Sequence, residues 1–234
     1  METLLSVLRM EKKYLLSLGE MFSLNHRLSL TLKGDEHNGA DGYLVRSLYF
    51  DTIDDTDFND KADGYEMRRK IRLRVYDPSG DTAKLELKEK QGNFQRKRSL
   101  LLGREQAQAL CRGDYTPLRS INTEFSLELY SRMTQFLYEP KCIVEYDRKA
   151  YIVPENNIRI TIDSNLRATE AIHDIFRTDV GAYPVGILQS ATLEVKYSNF
   201  LLSYVKDLVS LSGRTQVSLS KYCAARTISM HGEE

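Results

Sequence analysis

The sequence contains few of the residues from which metal centres and disulfide frameworks are built. Its 234 residues include only three cysteines and four histidines. Cys111, Cys142 and Cys223 are odd in number and far apart, which argues against a disulfide framework or a cysteine metal cluster. The histidines show no HxxxH or similar spacing, so a histidine metal site is not predicted. A reducing compartment fits this composition best.

Long apolar runs and an excess of one charge are also absent. No apolar stretch approaches the roughly 20 residues of a membrane span, and the opening METLLSVLR is too short for a signal peptide. Lys plus Arg and Asp plus Glu both number 33, so nothing attracts the molecule generally to nucleic acid or anionic lipid. We therefore expect a cytoplasmic protein that does not bind nucleic acid. A separate membrane partner is left open by the sequence.

Glycine-rich phosphate loops and domain linkers are missing too. Neither GxxxxGK[ST] nor GxGxxG occurs, so the common ATP-binding folds have no support. The chain has five scattered prolines and no repeat or low-complexity tract. We predict one domain over residues 1–234.

What the chain does have is a predicted strand, YEMRRKIRLRVY at residues 65–76, with a row of positive charge on one face. Side chains alternate between the faces of a strand. One face then carries Arg68, Lys70, Arg72 and Arg74, and the other carries Ile71, Leu73 and Val75. Like charges repel, so this face requires an anionic ligand, interleaved carboxylates or water. We expect Arg72→Ala to leave the fold intact, because it relieves a repulsive site.

Other predicted strands alternate apolar residues with charges of both signs. They include RMEKKY at 9–14, KLELKEK at 84–90, IRITID at 158–163 and LEVK at 193–196. For any single strand, exposure of the charged face to water is the favoured interpretation. These faces, however, contain almost only Arg, Lys and Glu. If a barrel closes with them inward, its interior prefers a polyanion with a divalent metal.

The remaining pattern predicts an α+β protein with a mainly antiparallel sheet. Further strands are predicted at 43–52, 95–102, 141–153, 157–163 and 191–197. Helices are predicted at 17–33, where Ser17 and Glu20 form a capping box, and at 104–112, 123–138 and 199–212. A short polar helix or turn is predicted at 54–61.

Eight short motifs occur together in order along the chain. They are RMEKKY at 9–14, SLYFDT at 47–52, KIRLR at 70–74, LELK at 85–88, YDRKAY at 146–151, RITID at 159–163, LEVK at 193–196 and SKY at 220–222. This order and spacing resembles the catalytic domain of the vacuolar transporter chaperone (VTC) complex, within the triphosphate tunnel metalloenzymes. The family often has a lysine where this chain has Ser218.

The resemblance implies an antiparallel β-barrel tunnel of about eight strands with helices outside. It also implies a polymerase that transfers the γ-phosphoryl group of ATP to a growing polyphosphate chain, with Mn²⁺ or Mg²⁺ as cofactor and with ATP and polyphosphate or pyrophosphate as partners. The implied catalytic, phosphate-binding residues are Lys13, Arg72, Arg74, Lys88, Arg148 and Lys221. Further substrate-binding candidates are Tyr49, Lys61, Lys70, Arg159, Lys196 and Ser220. Glu194 is the implied metal ligand, with Glu11 and Glu86 as additional candidates.

Two alternatives remain open from the sequence. The same tunnel fold contains triphosphate hydrolases, and fold alone does not fix the reaction. A hydrolase needs a carboxylate that deprotonates water, and Glu11, Glu86 or Asp163 could serve. The second alternative is a non-catalytic sensor of polyanions or nucleotides.

Overall fold

The computed structural model describes residues 9–92, 94–187, 190–210 and 213–230. The strands are β1 Arg9–Ser17, β2 Lys33–Gly34, β3 Tyr43–Thr52, β4 Met67–Val75, β5 Thr82–Gln91, β6 Phe94–Gly103, β7 Tyr138–Val153, β8 Ile158–Thr169, β9 Tyr183–Pro184 and β10 Ser190–Ser198. The helices are α1 Leu18–Thr31, α2 Thr56–Ala62, α3 Arg104–Cys111, α4 Thr116–Ile121, α5 Glu124–Gln135, α6 Ser203–Leu208 and α7 Lys221–Met230. The α+β class is confirmed.

The strands form an antiparallel sheet in the order β1-β10-β8-β7-β3-β4-β5-β6, with β2 paired to β7 and β9 to β8. Eight long strands match the predicted number. No pairing between the described residues joins β1 to β6, so the expected closed barrel is corrected to an antiparallel sheet. The polar, exposed residues Gln95, Arg96 and Lys97 on β6 are typical of a strand edge that is kept from pairing further.

The predicted alternation on the strands is confirmed. Ile71, Leu73 and Val75 of β4 are buried against Leu85 and Leu87 of β5 in one apolar cluster. The antiparallel register pairs Ile71 with Leu87 and Leu73 with Leu85. Because side chains alternate, this register places the charged residues of both strands together on the opposite face.

Contacts divide the chain into two compact units. Unit 1 is formed by Met1–Leu44, Tyr146–Asn165 and Ile187–Leu219, and unit 2 by Val45–Glu145, Leu166–Gly186 and Ser220–Glu234, each as far as the structure describes them. Unit 1 has an apolar core in which α1 contributes Leu24 and Leu28. Unit 2 has its own core, to which β3, β4 and β5 contribute. The single domain therefore stays a prediction.

Helix α1 begins at the predicted capping box, with the Glu20 backbone NH donating to Ser17 Oγ over 3.3 Å and the Ser17 NH donating to Glu20 Oε2 over 2.8 Å. Helix α6 is shorter than predicted because Asn199 and Ser210 have φ values of 62° and 49°, which α-helical residues do not adopt. The last two positions of the predicted 199–212 segment lie outside the described residues. Helices α4 and α7 were not predicted.

Candidate functional site

In unit 2, the charged face of β4 is built around Arg72. The register places Arg72 between Tyr49 of β3 and Glu86 of β5. Arg72 Nε and Nη2 lie 2.7 and 2.6 Å from Glu86 Oε2, and Nη1 donates to the Tyr49 hydroxyl over 3.3 Å. The Arg72 guanidinium is therefore fixed from both neighbouring strands, by Glu86 on β5 and by Tyr49 on β3.

Glu86 is fully buried and bound by cations on two sides. Lys97 of β6 forms an ion pair with its Oε1 atom, and Arg72 binds Oε2. Burial alone would raise the pKa of Glu86, but the charges of Arg72, Arg74 and Lys97 outweigh it and lower that pKa to about 2. Glu86 is consequently ionised at neutral pH.

Arg74 lies one pleat further along the same face. Its Nε donates to Ser47 Oγ over 3.0 Å, and its guanidinium carbon lies 6.0 Å from the centre of the Tyr76 ring. Burial opposes ionisation of Tyr49, yet Arg72, Arg74 and Lys70 lower its pKa. Arg74 also lowers the pKa of Tyr76 against the effect of burial. Both pKa shifts have the same physical cause, the positive charge of neighbouring arginine and lysine side chains.

Lys70 connects β4 to the start of α7. Its Nζ lies 2.6 Å from Ser220 Oγ, which also accepts from the backbone NH of Cys223 over 3.2 Å and so caps the helix. Lys221 is the first residue of α7. Lys88 lies opposite Lys70 in the β4–β5 register. Lys61, by contrast, lies in the last turn of α2.

In unit 1, β1 and β10 carry an alternating set of charges. Lys13 lies opposite Glu194 and Glu11 opposite Lys196. Lys13 Nζ lies 3.1 Å from Glu11 Oε1 and 3.6 Å from Glu194 Oε2, and Lys196 Nζ lies 2.7 Å from Glu194 Oε1 and 3.5 Å from Glu11 Oε2. Two carboxylates and two ammonium groups thus neutralise one another.

These contacts shift both central groups toward their charged forms. Burial would lower the pKa of Lys13, but Glu194 and Glu11 raise it. Burial would raise the pKa of Glu194, but Lys196 and Lys13 lower it. Lys13 Nζ also donates to the carbonyl of Leu219 over 3.2 Å. The charged forms of Lys13 and Glu194 therefore stabilise each other.

Arg148 of β7 is held rigidly in the same unit. Its Nε and Nη2 atoms bind the two oxygens of Asp163 over 2.6 and 2.8 Å. Burial would lower the pKa of Arg148, but Asp163 outweighs it and raises that pKa. Gly42, with φ of 97°, packs on the Arg148 backbone, because a Cβ there would lie 2.5 Å from the Arg148 carbonyl oxygen. Arg159 is held separately by Asp35 Oδ2 at 2.8 Å and the Tyr43 hydroxyl at 3.2 Å.

Burial decides between the two interpretations of the charged faces. Arg72, Arg74, Glu86 and Glu194 have at most 9% of their surface exposed. These side chains are therefore not the solvated polar face of an antiparallel sheet. Arg159 and Lys196 are more open, with 42% and 40% of their side chains exposed.

The three predicted metal ligands fall into different units, with Glu11 and Glu194 in unit 1 and Glu86 in unit 2. Within the described ranges, no group of three or more His, Cys, Asp or Glu side chains is arranged to hold a metal. Thr161, beside Glu194 in the register, has a buried hydroxyl without a hydrogen-bond partner among these residues. Two carboxylates and this hydroxyl are oxygen donors of the kind Mg²⁺ and Mn²⁺ prefer, and Mg²⁺ commonly adds substrate phosphates to one or two carboxylates. Glu11, Glu194 and Thr161 offer such donors, and a cation bound there would replace the contacts of the two carboxylates with Lys13 and Lys196.

Sequence reasoning missed the residues that orient the predicted ones. Ser47, Tyr76 and Lys97 contact or neutralise members of the site, and Asp163 holds Arg148. Ser47 lies inside the SLYFDT motif and Asp163 was considered only as a base. Lys97 left no signal in the sequence, because its partner depends on the β5–β6 pairing.

A family model for the VTC domain matches residues 8–230. The chain belongs to the VTC domain family. This confirms the resemblance drawn from the ordered motifs. No curated protein matches the chain.

Two solved structures were matched to this VTC-domain protein at low identity. A "putative adenylate cyclase" from Bacillus halodurans is 13% identical with a TM-score of 0.52, over 97% of this chain and 98% of that chain. A "putative adenylate cyclase" from Vibrio parahaemolyticus is 12% identical with a TM-score of 0.45, over 91% and 94% of the two chains. The first match shows a common fold and no more.

None of the helices in the described residues combines the length and hydrophobicity needed to cross a membrane.

Proposed function

We propose that this VTC-domain protein is an ATP-dependent polyphosphate polymerase. The observation that carries the proposal is the family membership over residues 8–230. In the reaction, a terminal oxygen of polyphosphate attacks the γ-phosphorus of ATP. A new P–O–P bond forms, the bond to the β-phosphate oxygen breaks, and ADP leaves. The tunnel implied by the family resemblance is part of this proposal.

The residues of the chain supply charge and position in this reaction. Phosphoryl transfer depends mainly on positioning and electrostatic stabilisation, so buried cations suffice without a nucleophilic side chain. The proposed phosphate-binding residues are Lys13, Lys70, Arg72, Arg74, Lys88, Arg148, Arg159, Lys196, Ser220 and Lys221, with Tyr49 beside Arg72. Lys61 is retained as a substrate-binding candidate on the polar helix α2.

Glu194 and Glu11, with Thr161, would hold the divalent cation. When bound, such a cation neutralises negative charge on phosphate oxygens. Glu86 is proposed to orient Arg72, because the Nε and Nη2 atoms of Arg72 lie 2.7 and 2.6 Å from its Oε2 atom.

The state of the buried carboxylates supports a polymerase over a hydrolase. An efficient general base has a pKa near the working pH. Glu86 has a pKa of about 2, and Asp163 has both oxygens bound by Arg148. Glu11 is bound by Lys13 and Lys196. A terminal phosphate oxygen, in contrast, is ionised at neutral pH and needs no base.

The test is incubation of the purified protein with ATP and Mn²⁺, followed by gel separation of the products. A ladder of phosphate polymers is expected. Orthophosphate without polymer would identify a hydrolase, and no product with retained triphosphate binding would identify a sensor. Lys13→Ala and Glu194→Gln should abolish the ladder, whereas Lys33→Ala, at an exposed lysine of β2, should not.

A further inference from the structure

We infer that Asp51 and Tyr222 are positioning residues, whose buried hydrogen bond fixes the start of α7 and the Tyr49 ring beside the cations of β4. The inference rests on the proposed function, because it assigns these cations to phosphate. Both residues, together with Tyr49, Arg72 and Ser220, belong to unit 2.

Asp51, at the end of β3, is fully buried, and its carboxylate accepts four hydrogen bonds. Its Oδ1 accepts from the backbone NH groups of Thr52 and Asp57, each over 2.8 Å. Its Oδ2 accepts from the Phe58 NH over 2.9 Å and from the Tyr222 hydroxyl over 2.7 Å. One carboxylate thus ties together a strand end, the first turn of α2 and a side chain of α7.

Tyr222 links Asp51 to Arg72 through the ring of Tyr49. Only 1% of Tyr222 is exposed, and its ring is stacked on Tyr49 with centroids 5.1 Å apart and planes inclined by 20°. Phe58 contacts the same ring edge-on, with centroids 6.3 Å apart. The Tyr49 hydroxyl accepts from Arg72 Nη1. The position of the Tyr222 ring therefore determines where the partner of Arg72 lies.

Tyr222 also determines where α7 begins. It follows Ser220 and Lys221 directly, and the rigid first turn of a helix holds these residues in a fixed relation. Ser220 Oγ is hydrogen-bonded to Lys70 Nζ at 2.6 Å. Loss of the Tyr222 hydroxyl would leave the first turn held by the Lys70 contact, and the second turn by the ion pairs of Arg226 with Asp55 and Glu170.

Unit 2 contains a matched control for this bond. Tyr138 is also buried, and its hydroxyl donates to the buried carboxylate of Asp57 over 3.0 Å. Tyr138 lies at the start of β7 and has none of the proposed phosphate-binding residues next to it in the chain. Tyr222→Phe and Tyr138→Phe therefore remove the same kind of hydrogen bond. Only Tyr222→Phe should shift the lysine and arginine side chains that are proposed to bind phosphate.

The experiment compares these two variants in three measurements. These are thermal unfolding, the Kd for inorganic tripolyphosphate by calorimetry, and amide hydrogen exchange over residues 218–227. We expect similar falls in Tm for the two variants. Tyr222→Phe should weaken tripolyphosphate binding about tenfold, or ~1.4 kcal/mol, and raise exchange in α7. Tyr138→Phe should change neither.

Asp51→Asn serves as the second variant if Tyr222→Phe does not fold, because the amide keeps an oxygen acceptor in nearly the same shape. Equal Kd values for the Tyr222→Phe and Tyr138→Phe variants would overturn the inference, as would unchanged exchange in α7. Tripolyphosphate binding needs no turnover, so a wild-type protein that binds it but makes no polymer would contradict the proposed function alone. A wild-type protein that does not bind tripolyphosphate would contradict both.

Discussion

Arg72 illustrates at the scale of one residue how a row of cations can be buried. The adjacent strand supplies Glu86, whose carboxylate lies within 2.7 Å of two guanidinium nitrogens. Interleaved carboxylates were one of the three ways in which such a face could be tolerated. The geometry reverses the expectation that Arg72→Ala leaves the fold intact, because that change removes one of the two ion pairs that the described residues form with the buried Glu86 carboxylate.

The first prediction is that Arg72→Ala lowers the free energy of unfolding by about 3 kcal/mol, since breaking a buried ion pair strands the remaining charge. Adding Glu86→Gln should recover part of this loss, because the stranded carboxylate is then neutral. Urea unfolding of the two single variants and the double variant measures the coupling between the residues. Arg68→Ala, near the exposed start of the same face, is the control and should change stability little. Additive losses in the double variant would refute the prediction.

Asp57 offers a prediction that depends on pH. Burial and the neighbouring carboxylate of Asp51 raise the pKa of Asp57 to about 7, although Tyr138 and Arg69 oppose the shift. Between the unfolded pKa of ~3.9 and the folded pKa of about 7, the folded protein therefore keeps a proton on Asp57 that the unfolded chain has lost. This contribution to stability is complete below the unfolded pKa and is lost as the pH rises through about 7.

Asp57→Asn should remove that dependence, because an amide does not titrate. The wild-type protein should lose stability relative to the variant by up to about 1.4 kcal/mol per pH unit as the pH rises toward 7. Urea unfolding at intervals from about pH 5 to about pH 8 measures the difference. Asp54→Asn, at a neighbouring exposed position, should keep the wild-type profile. Parallel profiles for wild type and Asp57→Asn would show that Asp57 keeps an ordinary pKa.

At the scale of elements, local patterns predicted what local forces determine. Strand β3 has the predicted bounds, and α1 starts at its capping box, because alternation and caps act over a few residues. Helix α7 was missed although Ser220 is an N-cap residue type, because its sequence KYCAARTISM lacks a strong apolar stripe. Its first turn is instead anchored by tertiary contacts of Ser220 and Tyr222.

In the candidate site, too, the sequence predicted which face of a strand a residue lies on but not its partners on neighbouring strands. Alternation correctly placed Arg72 and Arg74 on one face, since it depends only on the strand period. The partners Glu86 and Ser47 depend on which strands pair and in what register, and no single-strand pattern contains that information. The acidic run DTIDDTDFND at 51–60 resembles an ion-binding loop by composition. In the fold, Asp51 and Asp57 instead accept hydrogen bonds from Tyr222 and Tyr138.

The loop before β3 supports a prediction about Arg148. Gly42→Ala would place a Cβ 2.5 Å from the Arg148 carbonyl oxygen at a φ of 97°, so the backbone of Arg148 must shift. We expect a loss of about 2 kcal/mol in stability and weaker binding of tripolyphosphate. Gly19→Ala is the matched control, because no atom lies within 4 Å of a Cβ added there. Unfolding and calorimetry on both variants check this. Equal stability of the two variants would contradict close packing of Gly42 on Arg148.

At the scale of the whole molecule, the net charge is zero, so any attraction for polyanions depends on local groups of cations. The 33 basic and 33 acidic residues cancel, so polyanions have no general attraction to the surface. Under the proposed function, a phosphate chain is bound by local cations whose positions are fixed by carboxylates, such as Lys13 and Arg148 in unit 1 and Arg72 in unit 2. Several fixed cations within one unit favour a ligand with several charges at regular spacing over a single anion.

The last prediction follows from that charge balance. Tripolyphosphate should raise Tm more than pyrophosphate, and pyrophosphate more than orthophosphate, because each added phosphate contacts further fixed cations. At a concentration about one hundred times Kd, the ligand adds ~2.7 kcal/mol to the free energy of unfolding by mass action. Thermal unfolding with each anion, with sulfate at equal ionic strength as the reference, measures the order.

A matched pair of lysine variants distinguishes specific binding from general screening. Lys88→Ala, on the charged face of β5, should reduce the tripolyphosphate shift. Lys206→Ala, at an exposed position of α6, should not. If sulfate produced the same shift, or if both variants reduced it equally, the anion would be acting through ionic strength or diffuse surface charge. A shift that grows with chain length and depends on Lys88 requires fixed cations spaced to contact successive phosphates.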